Sequence, residues 1–118
     1  MGSKSGLQTF QISNPPIIIN TGTVVGPFEG QGPLAEEVDE VLGDFRDGQT
    51  TFEQAERSML TKACRLAIDN AGRSTSEVDL FLAGDLLNQI ISSSFTAETL
   101  GLPFLGLYGA CSTAAEGL

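Results

Sequence analysis

Apolar residues along this chain come in short blocks, and the character of each block predicts an element. Leu7 to Ile12 is patterned like a strand and ends at Asn14-Pro15-Pro16, where two prolines remove ladder donors. Ile17-Ile18-Ile19 and Thr23-Val24-Val25 are β-branched and apolar on both faces, which predicts a strand covered on both sides, with Gly22 as a bulge or a point of close packing. Gly26 to Pro33 is a loop dense in breakers. Leu34, Val38, Val41 and Leu42 share one helical face while Glu36, Glu37, Asp39 and Glu40 lie mostly elsewhere, so a short acidic amphipathic helix is expected, ending near Gly43. Its carboxylates read as a solvated face, since helical periodicity does not suit a calcium loop.

Asp44 to Thr50 is a polar connection. Thr51 with Gln54 forms a capping-box pattern, and the helix it opens carries Ala55, Met59, Ala63, Leu66 and Ala67 on one face toward a left-handed stop at Gly72. Cys64 lies beside that stripe and reads as core or near-core, the other reading being a reactive thiol. Ser74 to Glu77 repeats the capping box before the apolar run Val78 to Ala83, a second buried strand. A helix from about Gln89 to Leu100 follows, stopped by Gly101, and Leu102-Pro103 leads into a third strand, Phe104 to Tyr108. Strands alternating with helices predict an α/β layered fold in which Thr23–Val25, Leu80–Ala83 and Phe104–Tyr108 are neighbours in one mostly parallel sheet.

Candidate chemistry gathers where two of these strands end. Gly109-Ala110-Cys111-Ser112-Thr113-Ala114 joins the third strand to the start of a helix and has the form of a nucleophile elbow. The first amides of such a helix favour negative charge, so they would promote the Cys111 thiolate or hold a carboxylate or oxyanion. The other reading of Cys111 is a small buried hydrophobe. Gly84-Asp85-Leu86-Leu87-Asn88-Gln89 follows the second strand, at the edge where open α/β sheets bind ligands, which makes Asp85 and Asn88 candidates. Equally, Asp85 fits as a cap for the next helix and Asn88 as a turn residue.

Composition narrows the function classes. A hydrophobic fraction of 41% with 18% charged residues is that of a globular chain. Six basic against fifteen acidic residues, net −9, argue against nucleic acid as a partner and disfavour adhesion to anionic lipid. Two distant cysteines, Cys64 and Cys111, indicate neither a disulfide framework nor a zinc site, and both are expected reduced. The absence of histidine removes the usual general base for a cysteine nucleophile and the commonest transition-metal ligand. No cofactor or resident metal is expected. The amino terminus lacks the apolar core of a signal peptide and no run approaches a membrane span, so synthesis and retention in the cytoplasm are expected. Only Ser112 to Leu118 follow the elbow, so residues 1–118 are expected to be the amino-terminal part of a larger domain, cut within the elbow helix, with exposed apolar surface that takes a second copy or a companion chain.

Several motifs carry a family resemblance. They are Thr23-Val24-Val25-Gly26-Pro27, Gly32-Pro33-Leu34, Ala55-Glu56-Arg57, Leu82 to Gln89, Pro103-Phe104-Leu105 and Gly109 to Thr113. With them the chain resembles the stage V sporulation protein AD family over nearly its whole length, Ala83 to Gln89 being the most specific part. The resemblance implies a thiolase-like fold of two similar α/β halves, of which this chain matches the first part of the first. It also implies non-enzymatic binding of dipicolinic acid, pyridine-2,6-dicarboxylate, with or without its calcium, for uptake into developing spores. Other components of the dipicolinate-uptake machinery would be partners, at the periphery of the spore inner membrane. The site residues implied are Asp85, Asn88, Cys111, Ser112 and Thr113, with Asp85 able to ligate a calcium that accompanies the ligand. Ala114 departs from the family pattern, where a serine commonly follows Ser-Thr. The alternative is a thiolase or ketoacyl-synthase type acyltransferase with Cys111 as nucleophile.

Overall fold

Residues 2–118 are described by the computed structural model, which is mixed α/β. Its first elements, β1 (Ser3–Ser5) and β2 (Thr9–Gln11), form an antiparallel hairpin with Lys4 opposite Phe10, turned through Gly6 at φ 69°. Thus the strand expected over Leu7 to Ile12 is shorter, and its partner β1 carries no apolar pattern that would announce it. Every residue of this hairpin is exposed.

Ile17-Ile18-Ile19 is not a strand and is not covered, Ile17 being 80% exposed. The strand expected there is confined to β3 (Val24–Val25), half-buried against the first long helix. Gly22 is a close-packing point, because a Cβ there would collide with the carbonyl oxygen of Ala63. The acidic helix expected over Leu34 to Leu42 is also absent. Ala35–Glu37 makes one 3-10 turn, and β4 (Glu40–Val41) then runs parallel to β3. A nine-residue segment is too short to hold a helix on its own. Pairing with β3 supplies Glu40 N to Thr23 O at 3.1 Å and Leu42 N to Val25 O at 2.9 Å. Asp39 locks the register, accepting from Thr23 N at 2.8 Å and Thr23 Oγ1 at 2.7 Å. The Thr23 hydroxyl holds its carboxyl below the usual range. Leu42 is consequently a core residue.

Helix α1 (Phe52–Asn70) starts and stops where the sequence says it should. Thr51 Oγ1 accepts from Gln54 N at 3.2 Å, and Gly72 takes φ 65° beyond the end. The capping box is only half closed, because Gln54 Oε1 accepts from Thr50 Oγ1 instead. Lys62 Nζ reaches Glu40 Oε1 and Asp47 Oδ1, both at 2.8 Å, and Ser58 Oγ donates to Asp47 Oδ2 at 2.6 Å. These bonds tie β4 and the polar connection to α1.

Ser74 and Glu77 form the reciprocal capping box. Beyond it, β5 (Phe81–Ala83) pairs in parallel with β6 (Phe104–Gly106), and α2 (Ile91–Leu100) crosses between them. The Phe81 and Phe104 rings lie 5.8 Å apart across the pair. The core is the seam of α1, α2 and these strands, built from Ala55, Ile90, Ala97, Leu100 and Leu102, with the Thr61 and Thr96 hydroxyls 3.2 Å apart inside it. One part of the expected sheet is corrected. β5 and β6 are neighbours, but β3 pairs with β4, so the described residues form three two-stranded sheets, two parallel and one antiparallel. The third strand also ends at Gly106 rather than Tyr108. Among the described residues no helix is long and apolar enough to cross a membrane.

Candidate functional site

Parallel pairing brings the carboxyl ends of β5 and β6 to one edge, as a shared site requires. Leu107 N donates to Ala83 O at 2.9 Å, extending the ladder past the strand ends. Gly84 is required there, since a Cβ would collide with the carbonyl oxygen of Leu107. A cavity of about 530 Å³ opens at this edge, lined by residues that include Leu60, Gly84, Leu107, Cys111 and Thr113.

The strand-to-helix junction is present in modified form. Leu107 to Gly109 leave β6, Ala110 takes φ 48°, and Ala110–Ser112 makes a 3-10 turn before the short helix α3 (Thr113–Gly117). The left-handed residue is therefore Ala110, one position before the cysteine. Cys111 is exposed, so the buried-hydrophobe reading does not hold for it. Cys64 is the part-buried thiol, and burial pushes its pKa up. Thr113 contributes the one hydroxyl of the junction that is buried without a partner. The Ser112 hydroxyl, in contrast, is engaged: Oγ lies 2.5 Å from Glu116 Oε1 and 2.9 Å from the Gly109 carbonyl oxygen.

Asp85 follows the capping alternative. Its Oδ1 accepts from Leu87 N at 2.9 Å, while Oδ2 accepts from Ser93 N at 2.8 Å and Ser93 Oγ at 2.7 Å. These bonds span a turn in which Gln89 and Ile90 both have positive φ, 61° and 47°, a conformation costly for a β-branched residue. The turn holds because Ile90 is buried with its Cδ1 over Gly106, where a side chain would clash. Asn88 opens the 3-10 turn Asn88–Ile90 and is exposed. Burial and the Asp85 charge raise the pKa of Glu56, with the Ser92 hydroxyl acting in the opposite direction.

Of the five residues expected at the site, Cys111 and Thr113 line the cavity, and Asp85, Asn88 and Ser112 fall outside its lining. Glu116 was not among them. Its signal in the sequence is the four-residue spacing from Ser112, which puts both on one helical face. Among the described residues no group of three or more His, Cys, Asp or Glu is arranged to hold a metal ion.

Comparison with known proteins adds the lineage. A curated relative, stage V sporulation protein AD of Bacillus subtilis (strain 168), is 37% identical over 112 residues, covering 95% of this chain and 33% of the relative. The chain thus spans about a third of the length of the curated relative it matches. The family model for stage V sporulation protein AD (SpoVAD) matches residues 6–118. The chain belongs to the stage V sporulation protein AD family.

Proposed function

We propose that this chain acts in sporulation by supplying one wall of a binding site for dipicolinic acid, on the first part of a thiolase-like half whose cysteine is retained without turnover. The sporulation role follows from the family. The ligand assignment rests on the resemblance of the Ala83 to Gln89 and Gly109 to Thr113 motifs. The single observation that supports a ligand at this place is the Thr113 hydroxyl, buried without a partner beside a cavity at the joint end of two parallel strands. Buried polar groups are nearly always paired, so a hydroxyl of this kind fits a site that receives an acceptor such as a carboxylate. Calcium, where present, arrives as part of the cargo.

Within this reading Thr113 donates to a ligand carboxylate and Cys111 lies at the cavity wall. Asp85 acts at one remove, by holding the β5 to α2 turn. The chain works beside other components of the uptake machinery, peripheral to the spore inner membrane. Acyl transfer from Cys111 is the competing reading, favoured by the exposure of its thiol at a strand-to-helix junction. It would need a proton carrier that a chain without histidine does not offer in the usual form. Isothermal titration with dipicolinate, run beside an acyl-thioester turnover assay, separates the two. Binding without turnover is expected, and turnover without binding would reverse the assignment.

A further inference from the structure

We propose that α1 and α2 hold a second ligand groove, built for a small phosphomonoester, which shares no residue with the cavity at the strand edge. The inference goes beyond the dipicolinate reading and does not rest on it. Along α1, Gln54, Arg57, Ser58, Thr61, Lys62 and Arg65 recur at helical spacing, a polar stripe beside the apolar one. With Gln49 and Thr99 they line a cavity of about 250 Å³. Every residue of that lining is polar, three are cations and none is an acid, in a chain with six basic residues against fifteen acidic ones.

The hydroxyl hydrogens of this lining are already committed within the protein. Ser58 Oγ donates to Asp47 Oδ2 at 2.6 Å, Thr61 Oγ1 to the Arg57 carbonyl oxygen at 2.8 Å and Thr99 Oγ1 to that of Phe95 at 2.7 Å. Lys62 is committed to Glu40 and Asp47. Arg57 and Arg65 are not: among the described residues the ion pairs are those of Lys62 and that of Arg73 with Glu77. Gln54 Oε1 accepts from Thr50 Oγ1, which leaves its Nε2 as a donor. Two guanidiniums and an amide therefore line a cavity that offers them no carboxylate. The planar guanidinium fork matches phosphate oxygens in pairs.

A smaller cavity of about 120 Å³ meets the first at Gln54 and Arg57 and is otherwise lined by Glu53, Ile91, Ser92 and Phe95. At the join the Arg57 guanidinium lies over the Phe95 ring, 5.4 Å from its centroid. Ser92 is 1% exposed and its hydroxyl is buried without a hydrogen-bond partner. Buried hydroxyls are nearly always paired, so this one fits a ligand oxygen. Glu53 is the one acid in either lining and belongs to the smaller cavity, which directs the phosphate to the larger one. The smaller cavity then takes a neutral body bearing an oxygen. It is tighter than the roughly 150 Å³ that accepts a benzene ring, so the body is a short chain.

Isothermal titration of the full chain with glycerol 3-phosphate and with inorganic phosphate tests the groove, with succinate as a carboxylate competitor. Glycerol 3-phosphate should bind more tightly than inorganic phosphate, and succinate should displace neither. Arg57→Gln should weaken both by roughly tenfold, the loss of a charge-assisted contact. Arg65 is exposed, so Arg65→Gln, expected to weaken both, repeats the test without disturbing the packing. Arg73→Gln makes the same change of net charge outside both linings and should leave binding unchanged. Ser92→Ala should weaken glycerol 3-phosphate by roughly fivefold and leave inorganic phosphate unaffected. A phosphomonoester occurs both in solution and as the headgroup of phosphatidic acid. Co-sedimentation with phosphatidic acid vesicles, absent with phosphatidylcholine vesicles and lost in Arg57→Gln, assigns the lipid source, and retention in solution assigns the soluble one. No response to the phosphates or to phosphatidic acid, displacement by succinate, or an equal loss in Arg73→Gln overturns the site. Unchanged glycerol 3-phosphate binding in Ser92→Ala overturns its two-part form.

Discussion

Replacing Asp85 with alanine removes the acceptor that three donors share: Leu87 N at 2.9 Å, Ser93 N at 2.8 Å and Ser93 Oγ at 2.7 Å. Ser93 is 0% exposed, so its hydroxyl and amide would be left with neither protein nor solvent acceptors. Losing a helix-start acceptor costs about 1 kcal/mol, and stranding a buried donor costs about 1–3 kcal/mol. These terms overlap, which puts the expected loss at about 2–4 kcal/mol. The turn would also lose what offsets the left-handed Gln89 and Ile90. Relief of Glu56 works in the other direction, since the Asp85 charge helps to raise its pKa, but burial is the larger cause and persists. Urea unfolding should therefore show a lower midpoint with an unchanged slope. Asp85→Asn, which retains one acceptor oxygen, should lose about half as much. A double-mutant cycle with Ser93→Ala should recover a coupling of at least about 1 kcal/mol. A loss below about 0.5 kcal/mol in Asp85→Ala, or no coupling to Ser93, would refute the positioning role and return Asp85 to the list of ligand contacts.

Three further outcomes follow from the packing and charge. Gly84→Ala should lower stability by about 1–3 kcal/mol in the same urea assay, since its Cβ meets the Leu107 carbonyl oxygen and the two strand ends must part; an unchanged midpoint would mean that this approach is looser than described. Asp47 is held below the ordinary aspartate range chiefly by Lys62 and then by Ser58, so the stability it contributes is present above its unfolded pKa near 4 and is lost as pH falls through its lower folded value. Stability measured from pH 6 down to pH 2 should fall less steeply in Asp47→Asn, and an identical slope would contradict the assignment. The Leu82 and Leu105 side chains share the uncovered face of the β5–β6 pair and are 41% and 54% exposed, so sedimentation should show self-association that Leu105→Lys weakens; a monomer at high concentration would oppose it.

Local signals were legible wherever chemistry and periodicity agreed. Thr51, Gln54 and Gly72 bracket α1 because capping and left-handed stops are read from single residues. The β5, α2 and β6 blocks were legible for the same reason, and their parallel pairing followed from the length of the crossover. Long-range partners were not. Glu40-Val41 has a helical pattern, yet it goes to β3 because Asp39 bonds Thr23 sixteen residues away, a contact that no window of sequence contains. Ile17 to Ile19 have strong strand propensity and are exposed all the same, since propensity does not supply a neighbour. At the cavity, Cys111 and Thr113 lie on the elbow that the sequence pattern marks, while Asp85 is drawn two ways by one feature: a carboxylate after a strand suits a ligand and a cap equally. Its three donors, Leu87 N, Ser93 N and Ser93 Oγ, give it a hold on the turn that no local pattern announces.

The binding claim turns on Thr113, whose buried hydroxyl lacks a partner beside the cavity. Isothermal titration of the full chain and of Thr113→Val with dipicolinate tests it most directly, because valine keeps the shape and removes only the donor. Saturable binding by the unsubstituted chain is expected, weakened in Thr113→Val by roughly tenfold, the equivalent of one hydrogen bond to a charged acceptor. Equal affinity of the two proteins, or heat of dilution alone from both, would contradict the account.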